Sequence, residues 1–373
     1  MENQNSVAFI SKIKSISPIE GADKIELANV EGWTSIVQKD IHQIGDAVLC
    51  VTTDAVIPEN LAKEWGVIQY LRKGNRVRTV KLKGVYSECI LIPVTDLDYF
   101  GSLGADMMNL LDIHKYEPPS REEVLSNGKK VRVSQNPNFP IYYKFPNAKN
   151  VKNMFQEEDL VVITRKIHGT NARYGIVPKV KFTFFEKIKK FFGFWNEYND
   201  YEFVYGSHNV QKFNGSLGYY DTNYWNVINI KYNIEETLWD LFKHKNVLEN
   251  TKSLIIYGEI YGPGIQGNSY TYGKNEIDFA GFDVIINNNY LDQSNKELIF
   301  KYLNLPIVDK LFTGNFNQEI INKFVLNNFI EGTKIPHEGV VVSDISGDRS
   351  KICKYVNPDY LIYSEKNNIP DSH

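Results

Sequence analysis

Up to about Asp112, the chain consists of short apolar runs and short runs in which apolar and polar residues alternate. Residues 25–30 (IELANV) alternate apolar and polar side chains before a Glu-Gly turn, and residues 47–51 (AVLCV) form a short continuous apolar run. Alternation is typical of half-buried strands, whereas a short apolar run that follows a turn is typical of a buried strand. Several such strands at regular spacing predict a small β-barrel or sandwich.

A stretch with five prolines, residues 116–150, separates this region from a different pattern, in which apolar strands are mixed with helical stretches. Loops longer than about 15 residues are uncommon inside a compact domain, so we read this stretch as a linker. We therefore predict a barrel domain over residues 1–115, the linker over 116–150 and a mixed α+β domain over 151–373. The apolar strands expected in the last domain include residues 160–163, 254–257 and 340–342.

Residues 181–198 (KFTFFEKIKKFFGFWNEY) predict an aromatic, amphipathic helix inserted between two strands. Its aromatic side chains can pack in the core, contact the substrate or face a membrane surface. We expect packing, of Phe182, Phe185 and Phe192, or substrate contact.

Composition and charge narrow the class of protein. The 373 residues carry 42 Lys and Arg against 45 Asp and Glu, a net charge of -3, so any nucleic acid must be held by local basic patches. Three widely spaced cysteines exclude a disulfide scaffold and a CxxC zinc site, and no apolar run approaches the ~20 residues of a membrane span. We expect a cytoplasmic protein of a reducing compartment, without a membrane partner.

The motif RKIHGTN, residues 165–171, places Lys166 directly after an apolar strand. Such a lysine can simply begin a surface turn. It becomes a nucleophile when its amine is desolvated or lies beside other positive charges, because both favour loss of its proton. Carboxylates, aromatic residues and further lysines follow in order along the chain. They are Glu259 in YGEIYG, Phe279 and Phe282 in FAGFDV, Glu338 in HEGVVV, and Lys351 and Lys354 in KICKY.

The order KxHGTN, GEIYG, FDV, EGVVV and a late lysine strand resembles the covalent nucleotidyltransferases, the polynucleotide ligases and mRNA capping enzymes. A histidine two residues after the lysine is similar to the RNA-ligase variant of the first motif. The segments SPIEGADKIELANVEGW, GDAVLCVTTDAVIPE and VKLKGVYSECILIP resemble the OB domain of the fifth RNA ligase class. That class implies an α+β protein with an N-terminal OB-fold β-barrel and a C-terminal nucleotidyltransferase (adenylation) domain.

The resemblance implies a role for the charged residues. Lys166 would attack the α-phosphorus of ATP, form a lysyl-adenylate and expel pyrophosphate. Lys354 would act at the α-phosphate, where positive charge offsets the repulsion between phosphate and nucleophile. Glu259 and Glu338 would hold Mg²⁺ or Mn²⁺, or its waters.

The resemblance also implies contacts with the base and with RNA. Phe282 would stack on adenine, because it directly precedes Asp283 as in the Phe-Asp pair of the family, and Phe279 is the alternative. His168 and Asn171 match positions that the family uses in transfer of AMP to the RNA end or in contact with that end.

Three positions depart from the pattern of the family. Arg165 stands where many relatives have Glu, and on an extended strand it should face away from the Lys166 side. Lys351 and Lys354 are three residues apart and should face opposite sides of a strand, so we expect only Lys354 in the site. His208 stands where the family often has an Arg that reaches the sugar of the adenylate or the nick, and it lacks the permanently charged fork of that Arg.

Residues 72–83 (RKGNRVRTVKLK) contain six basic and no acidic residues. On a predicted pair of OB strands, alternation places Arg76 and Arg78 on one face, and Lys81 and Lys83 likewise. Such a face is a plausible track for RNA phosphates, although a basic strand face can also be ordinary soluble surface.

Together these features predict an ATP-dependent RNA ligase that seals 3′-OH/5′-phosphate RNA ends or nicks through lysyl-adenylate and adenylylated-RNA intermediates. The expected partners are ATP and RNA, in the form of a nicked duplex, and the expected state is a monomer. Two alternatives stay open. One is a DNA nick ligase with the same chemistry, and the other is a non-catalytic OB-type RNA- or tRNA-binding protein, since GADKIELANV also resembles tRNA-binding OB domains.

Overall fold

The computed structural model describes residues 6–97, 102–116, 123–124, 130–131, 135–151, 153–213, 222–244, 250–266, 270–367 and 369. The chain forms two compact units. Unit 1 comprises Met1–Pro118, Pro146–Met154 and Tyr355–Lys366, and unit 2 comprises Pro119–Phe145, Phe155–Lys354 and Asn367–His373. The linker expected over 116–150 lies partly outside the described residues, so the sequence-based domain boundaries stay predictions.

Unit 1 is built mainly from short antiparallel strands. One sheet has the order β1-β5-β9 and another the order β2-β3-β4, while β7 pairs with β8 and β6 with β10. The strands are β1 (Ala8–Lys12), β2 (Ser15–Pro18), β3 (Ile25–Val30), β4 (Trp33–Gln38), β5 (Ala47–Thr52), β6 (Ala55–Val56), β7 (Val80–Leu82), β8 (Val85–Ser87), β9 (Cys89–Pro93) and β10 (His114–Lys115). Helix α1 (Glu59–Glu64) follows β6.

Strand β5 explains why unit 1 contains a continuous apolar run. Leu49 and Val51 belong to one buried cluster, and Val48 and Cys50 belong to another. Because successive side chains point to opposite faces of a strand, β5 must be apolar on both faces to separate two cores. The strands predicted at residues 25–30 and 47–51 are confirmed.

Unit 2 contains two larger antiparallel sheets, with the orders β20-β13-β21-β22 and β16-β15-β14-β17-β18-β19. Its strands are β11 (Glu123–Val124), β12 (Lys130–Val131), β13 (Leu160–Lys166), β14 (Thr170–Pro178), β15 (Tyr201–Gly206), β16 (Gln211–Lys212), β17 (Leu254–Tyr261), β18 (Asp278–Ile286), β19 (Asn289–Tyr290), β20 (Lys310–Asn315), β21 (Gly339–Asp344) and β22 (Ile352–Val356), the end of which belongs to unit 1. The strands predicted at residues 160–163, 254–257 and 340–342 are confirmed.

Helices cover one face of the six-stranded sheet. Trp225, Leu238 and Phe300 from three of them are buried with Tyr174 and Phe279 of the sheet. This is the main core of unit 2, and Phe139 and Tyr142 pack on the opposite face of the sheet in a second buried cluster. The helices are α2 (Phe184–Phe191), α3 (Tyr224–Tyr232), α4 (Ile234–Lys243), α5 (Gln293–Tyr302), α6 (Gln318–Val325) and α7 (Pro358–Lys366), the last of which belongs to unit 1.

The helix predicted over residues 181–198 is much shorter than expected. Helix α2 ends at Phe191, and a 3₁₀ turn follows at Glu197–Asp200. The expected core packing is wrong for Phe185 and Phe192, whose exposed fractions are 75% and 65%. In the part of the chain that the structure describes, no helix is long and apolar enough to cross a membrane.

Candidate active site

Lys166 and Glu338 meet because two neighbouring strands end side by side. In the register between β13 and β21, Lys166 lies opposite Gly339, so Glu338 comes directly before β21 at the same edge of the sheet. The Nζ atom of Lys166 lies 2.5 Å from Oε1 of Glu338. Glu338 is fully buried, and this burial raises the pKa of its carboxyl group, although the positive charges of Lys166 and Lys354 act against the shift.

Glu259 joins this pair from the six-stranded sheet. It lies opposite Asn171 of β14 on one side and opposite Ala280 of β18 on the other. Burial raises the pKa of the Glu259 carboxyl to about 8, with Lys166 lowering it and Glu338 raising it. Two carboxylates and one lysine from two sheets therefore lie close enough to affect each other's ionisation.

Gly169 allows the turn between β13 and β14 to pass close to strand β17. A Cβ atom at this position would lie 2.3 Å from the carbonyl oxygen of Ile260 and 2.8 Å from Cγ of Glu259. Backbone atoms cannot move aside cheaply, so the turn after Lys166 can pass strand β17 only with glycine here. The glycine of KIHGTN thus has a packing reason that the motif alone does not reveal.

The two phenylalanine candidates for adenine stacking lie on opposite faces of β18. Phe279 is fully buried in the helix-covered core, where its ring packs against Gly258. The register between β17 and β18 shifts at Tyr257 and Gly258, which leaves Phe282 as the extra residue of a bulge. Phe282 is partly exposed and shares a cluster with Ile167, the neighbour of Lys166. The stacking role of Phe282 stays a prediction, whereas the position of Phe279 leaves it no open face.

A pair of tyrosines that our sequence analysis missed adjoins the site. The hydroxyl of Tyr272 accepts a hydrogen bond from the backbone N–H of His168 at 2.8 Å, and Tyr270 lies against the His168 ring with centroids 4.7 Å apart. His168 is only 1% exposed. Burial raises the pKa of the Tyr272 hydroxyl, and the negative charge of Glu259 adds a smaller increase. In the sequence, these tyrosines are marked by the alternating segment SYTYG, residues 269–273, which follows GEIYG.

The two late lysines have different neighbours, and only Lys354 lies within a strand. Lys354 in β22 is close enough for its charge to act on the Glu338 carboxyl. Lys351 instead forms an ion pair with Asp159, with Nζ and Oδ1 2.6 Å apart. Only Lys354 therefore joins the group around Lys166.

Arg165 is directed toward a different neighbourhood from Lys166. Its Nη1 atom lies 3.4 Å from the side-chain oxygen of Asn328, and its charge lowers the pKa of His337 in addition to the effect of burial.

Asn171 and His208 flank a buried arginine that the sequence analysis did not single out. Arg173 is fully buried, and its guanidinium donates to the carbonyl oxygens of Ser207 at 2.9 Å and Phe139 at 2.5 Å. Burial lowers the pKa of His208, and the charges of Lys144 and Arg173 lower it further. The backbone oxygen of Asn171 accepts a hydrogen bond from Trp225 Nε1 at 3.1 Å. In the sequence, Arg173 is marked as a buried residue with a specific role because it is a charged residue inside the mostly apolar run NARYGIV.

The basic segment of unit 1 differs from the predicted strand track. Arg76 lies outside the long strands and forms only isolated bridges, and Lys83 occupies the turn between β7 and β8 with a φ of +51°. The expected shared strand faces for Arg76 with Arg78, and for Lys81 with Lys83, are therefore wrong. The role of these residues in RNA binding stays a prediction.

Acidic side chains engage three of the six basic residues of this segment. Arg76 forms an ion pair with Asp54, and its guanidinium lies 4.1 Å from the ring centre of Tyr116. In α7, Glu365 binds Arg78 at 2.9 Å and Asp359 binds Lys81 at 3.2 Å. Lys83 is exposed, and no ion pair to it forms among the described residues.

The carboxylates of the site fit a divalent cation. Glu259 and Glu338 are hard oxygen donors, and their mutual repulsion is one cause of the raised pKa of Glu259. Among the described residues, no three His, Cys, Asp or Glu side chains gather as a metal site. Two protein carboxylates suit Mg²⁺ or Mn²⁺ bound together with water and substrate phosphate, because these ions keep few protein ligands.

Known solved structures share this fold. An apo variant of Naegleria gruberi RNA ligase matches with a TM-score of 0.72 and 21% identity, covering 97% of this chain and 98% of that one. The same ligase with PPi matches with a TM-score of 0.72 and 20% identity, covering 97% of this chain and 99% of that one. A variant of that ligase with ATP and Mn matches with a TM-score of 0.73 and 20% identity, covering 96% of this chain and 99% of that one. No curated protein sequence matches the chain.

Family models identify both parts of the chain. An OB-fold domain model matches residues 7–94, and the RNA ligase model matches residues 159–356, more than half of the chain. The predicted fold class is therefore confirmed, with an N-terminal OB-fold domain and a mixed α+β ligase domain. The RNA ligase match spans Lys166, Glu259, Glu338 and Lys354. The chain belongs to the RNA ligase family and is an enzyme that forms phosphodiester bonds.

Proposed function

We propose that this enzyme uses ATP to seal RNA 3′-OH and 5′-phosphate ends or nicks, and that Lys166 carries the AMP. The observation that carries the proposal is the contact of 2.5 Å between Lys166 and the buried Glu338, with Glu259 beside them. A lysine at the end of a strand, next to one buried and one partly buried carboxylate that can attract a cation, has the surroundings that phosphoryl-transfer chemistry requires.

In the proposed first step, Nζ of Lys166 forms a bond to the α-phosphorus of ATP. The bond from that phosphorus to the bridging oxygen breaks, and pyrophosphate leaves. The amine must first lose a proton and separate from Glu338, since an ammonium group has no lone pair. Lys354, whose charge already acts on this site, would offset the negative charge of the α-phosphate. Phe282 would stack on the adenine ring.

Glu259 and Glu338 would hold Mg²⁺ or Mn²⁺ together with phosphate oxygens and water. The ion, when bound, would neutralise phosphate charge. The solved relative with ATP and Mn supports this assignment. Glu338 would also orient Lys166 through its contact with the amine.

In the later steps, AMP would move from Lys166 to the 5′-phosphate of RNA, and a 3′-OH would then displace AMP to form the phosphodiester. His168 and Asn171 would serve these steps. His168 is buried against Tyr270, so it would act by ordering the turn that presents Lys166. His208 would contribute a hydrogen bond to the nucleotide. The basic residues Arg76, Arg78, Lys81 and Lys83 would contact RNA phosphates, with Lys83 the most available of them.

The proposed setting is the cytoplasm, with the enzyme acting as a monomer on a nicked RNA duplex. Cys50, Cys89 and Cys353 are buried free thiols, which supports a reducing compartment.

Transfer of label from [α-³²P]ATP tests the assignment of the nucleophile. The wild-type chain, with Mg²⁺ or Mn²⁺, should become labelled on a denaturing gel, and labelled GTP should not replace labelled ATP. Lys166→Ala and Lys166→Arg should lose the label, the second although it keeps a positive charge beside Glu338. Lys351→Ala is the matched control, because this lysine pairs with Asp159 outside the site and should label normally.

A labelled Lys166→Ala protein would place the AMP on another residue. A wild-type chain that is folded, free of bound AMP and unlabelled with either metal would refute ATP-dependent ligation and favour the non-catalytic RNA-binding alternative. Nicked duplexes with an RNA or a DNA 3′-OH strand then separate RNA from DNA ligation, because the 2′-OH is the chemical difference that the enzyme can read.

A further inference from the structure

The insertion between β14 and β15 exposes an unusually large apolar surface. We call it the aromatic ridge, and it consists of Phe184 (72% exposed), Phe185 (75%), Ile188 (36%), Phe191 (84%), Phe192 (65%) and Phe194 (78%). With roughly 200 Å² for each phenylalanine, the ridge exposes on the order of 700 to 800 Å² of apolar side chain. The largest apolar patch on a typical monomer is only about 300 to 600 Å², so this surface indicates a binding function.

Helix α2 presents its apolar face outward because its polar face is attached to the rest of the insertion. At about 100° per residue, the ridge residues of α2 fall within an arc of roughly 120°. From the opposite side, Glu186 binds Lys179 at 2.7 Å and Lys190 binds Asp200 at 2.7 Å. Lys190 also lies 5.0 Å from the ring centre of Phe182. These contacts anchor the helix by its charged side, the reverse of ordinary core packing.

The charge around the ridge is positive. Residues 179–200 contain five lysines against Glu186, Glu197 and Asp200, a net charge of +2, although the whole chain has a net charge of -3. Lys181, Lys187 and Lys189 make no ion pair within the described residues. Aromatic residues on one face and lysines on the flanks are typical of helices that lie in the interface of an anionic bilayer.

Two other partners fit this surface less well. A second copy of the chain would bring the same lysines together, and like charges oppose such pairing. Unpaired RNA bases stack on open ring faces, but the ridge rings contact each other edge to face, at 74° for Phe184 with Phe185 and 89° for Phe191 with Phe192.

We propose that the aromatic ridge binds the surface of a bilayer that contains anionic lipid, with its rings inserted about 5 to 10 Å into the headgroup and acyl boundary. This proposal replaces the sequence-based expectation of no membrane partner, and it involves no spanning helix. Asn171 and Pro178 lie at opposite ends of strand β14, about 23 Å apart at roughly 3.3 Å per residue. Lipid binding at the ridge therefore leaves Lys166 accessible to ATP.

Vesicle co-sedimentation of the full chain tests the proposal. We expect the wild type to bind vesicles of phosphatidylserine and phosphatidylcholine mixed at about three to seven, to bind pure phosphatidylcholine weakly, and to lose binding at high salt. The variant Phe191→Ser/Phe192→Ser should bind roughly tenfold more weakly or worse, because both rings leave the bilayer. Lys187→Glu/Lys189→Glu should lose the preference for anionic lipid.

Ile230→Ser is the matched control, since Ile230 is 71% exposed on α3, outside the ridge, and its loss should leave vesicle binding unchanged. All variants should keep adenylylation of Lys166, which shows that they are folded. Three outcomes would overturn the proposal. They are a wild type that ignores anionic vesicles, a Phe191→Ser/Phe192→Ser variant that binds them as well as the wild type, and a wild-type dimer that this variant dissociates without vesicle binding.

Discussion

Replacing Glu259 with glutamine should stabilise the protein at alkaline pH while it impairs catalysis. The pKa of this carboxyl is raised to about 8 by burial, against a reference value of 4.5 for an unfolded glutamate. Between these two pH values the folded state holds a proton that the unfolded state has released. The contribution of Glu259 to stability is therefore complete below the unfolded pKa, and it is lost as the pH rises through the folded pKa.

The size of the effect follows from these two pKa values. Integrating the difference in bound protons from about pH 5 to about pH 8 gives a loss of roughly 3 to 4 kcal/mol of unfolding free energy. A glutamine stays neutral over this range, so Glu259→Gln should lack this part of the pH dependence. The assay is urea unfolding followed by tryptophan fluorescence, for both proteins at both pH values, and Glu158→Gln controls for loss of an exposed glutamate.

A second arm of the same experiment uses Mg²⁺. At about pH 8 the ion should stabilise the wild type by binding the ionised Glu259, and it should stabilise Glu259→Gln much less. If wild type and variant lose the same unfolding free energy between the two pH values, burial does not control the ionisation of Glu259 and the reasoning is refuted. Equal stabilisation of the variant and the wild type by Mg²⁺ would instead argue against Glu259 as a metal ligand.

Two further predictions concern residues around Lys166. Gly169→Ala should lower the unfolding free energy by about 1 to 3 kcal/mol and slow adenylylation, because its Cβ would lie 2.3 Å from a backbone oxygen. Gly32→Ala, whose Cβ would lie 3.7 Å from its nearest neighbour, should do neither. Equal effects of the two substitutions in urea unfolding would contradict this prediction. Lys354→Ala should reduce the rate of adenylate formation by roughly 100-fold or more. Lys351→Ala, which loses only a partly exposed ion pair with Asp159 outside the site, should change this rate less than about threefold. Comparable losses in a single-turnover labelling assay would argue against a special role for Lys354.

Much of the candidate site was predictable from the order of its motifs. Lys166, Glu259, Glu338 and Lys354 each stand at a strand end or within a strand that apolar runs identify, and the structure brings all four together. Lys351 precedes β22 and pairs with Asp159, whereas Lys354 lies within β22, so strand alternation alone did not set their directions. Local pattern suffices for these four residues, because side chains two residues apart on a strand share one face, and apolar residues on that face mark it as buried.

The basic segment of unit 1 shows where local pattern fails. Its six basic residues are visible in the sequence, but the carboxylates of Glu365 and Asp359 that pair with Arg78 and Lys81 lie more than 250 positions later in the chain. A charge run predicts a positive surface only when no distant segment supplies counter-charges. The fold of the chain decides that, and the local sequence does not.

The sequence by itself determined the chemistry of the site and the strands that carry it, because residue type and apolar spacing are local properties. Only the tertiary structure decided three further points. A bulge in β18 sets which phenylalanine has an open face, and the close passage of the turn after Lys166 along β17 explains Gly169. The third point is the orientation of α2, since an amphipathic pattern defines two faces of a helix without indicating which one is buried. In the structure the charged face of α2 forms ion pairs with Lys179 and Asp200, and the aromatic ridge faces outward.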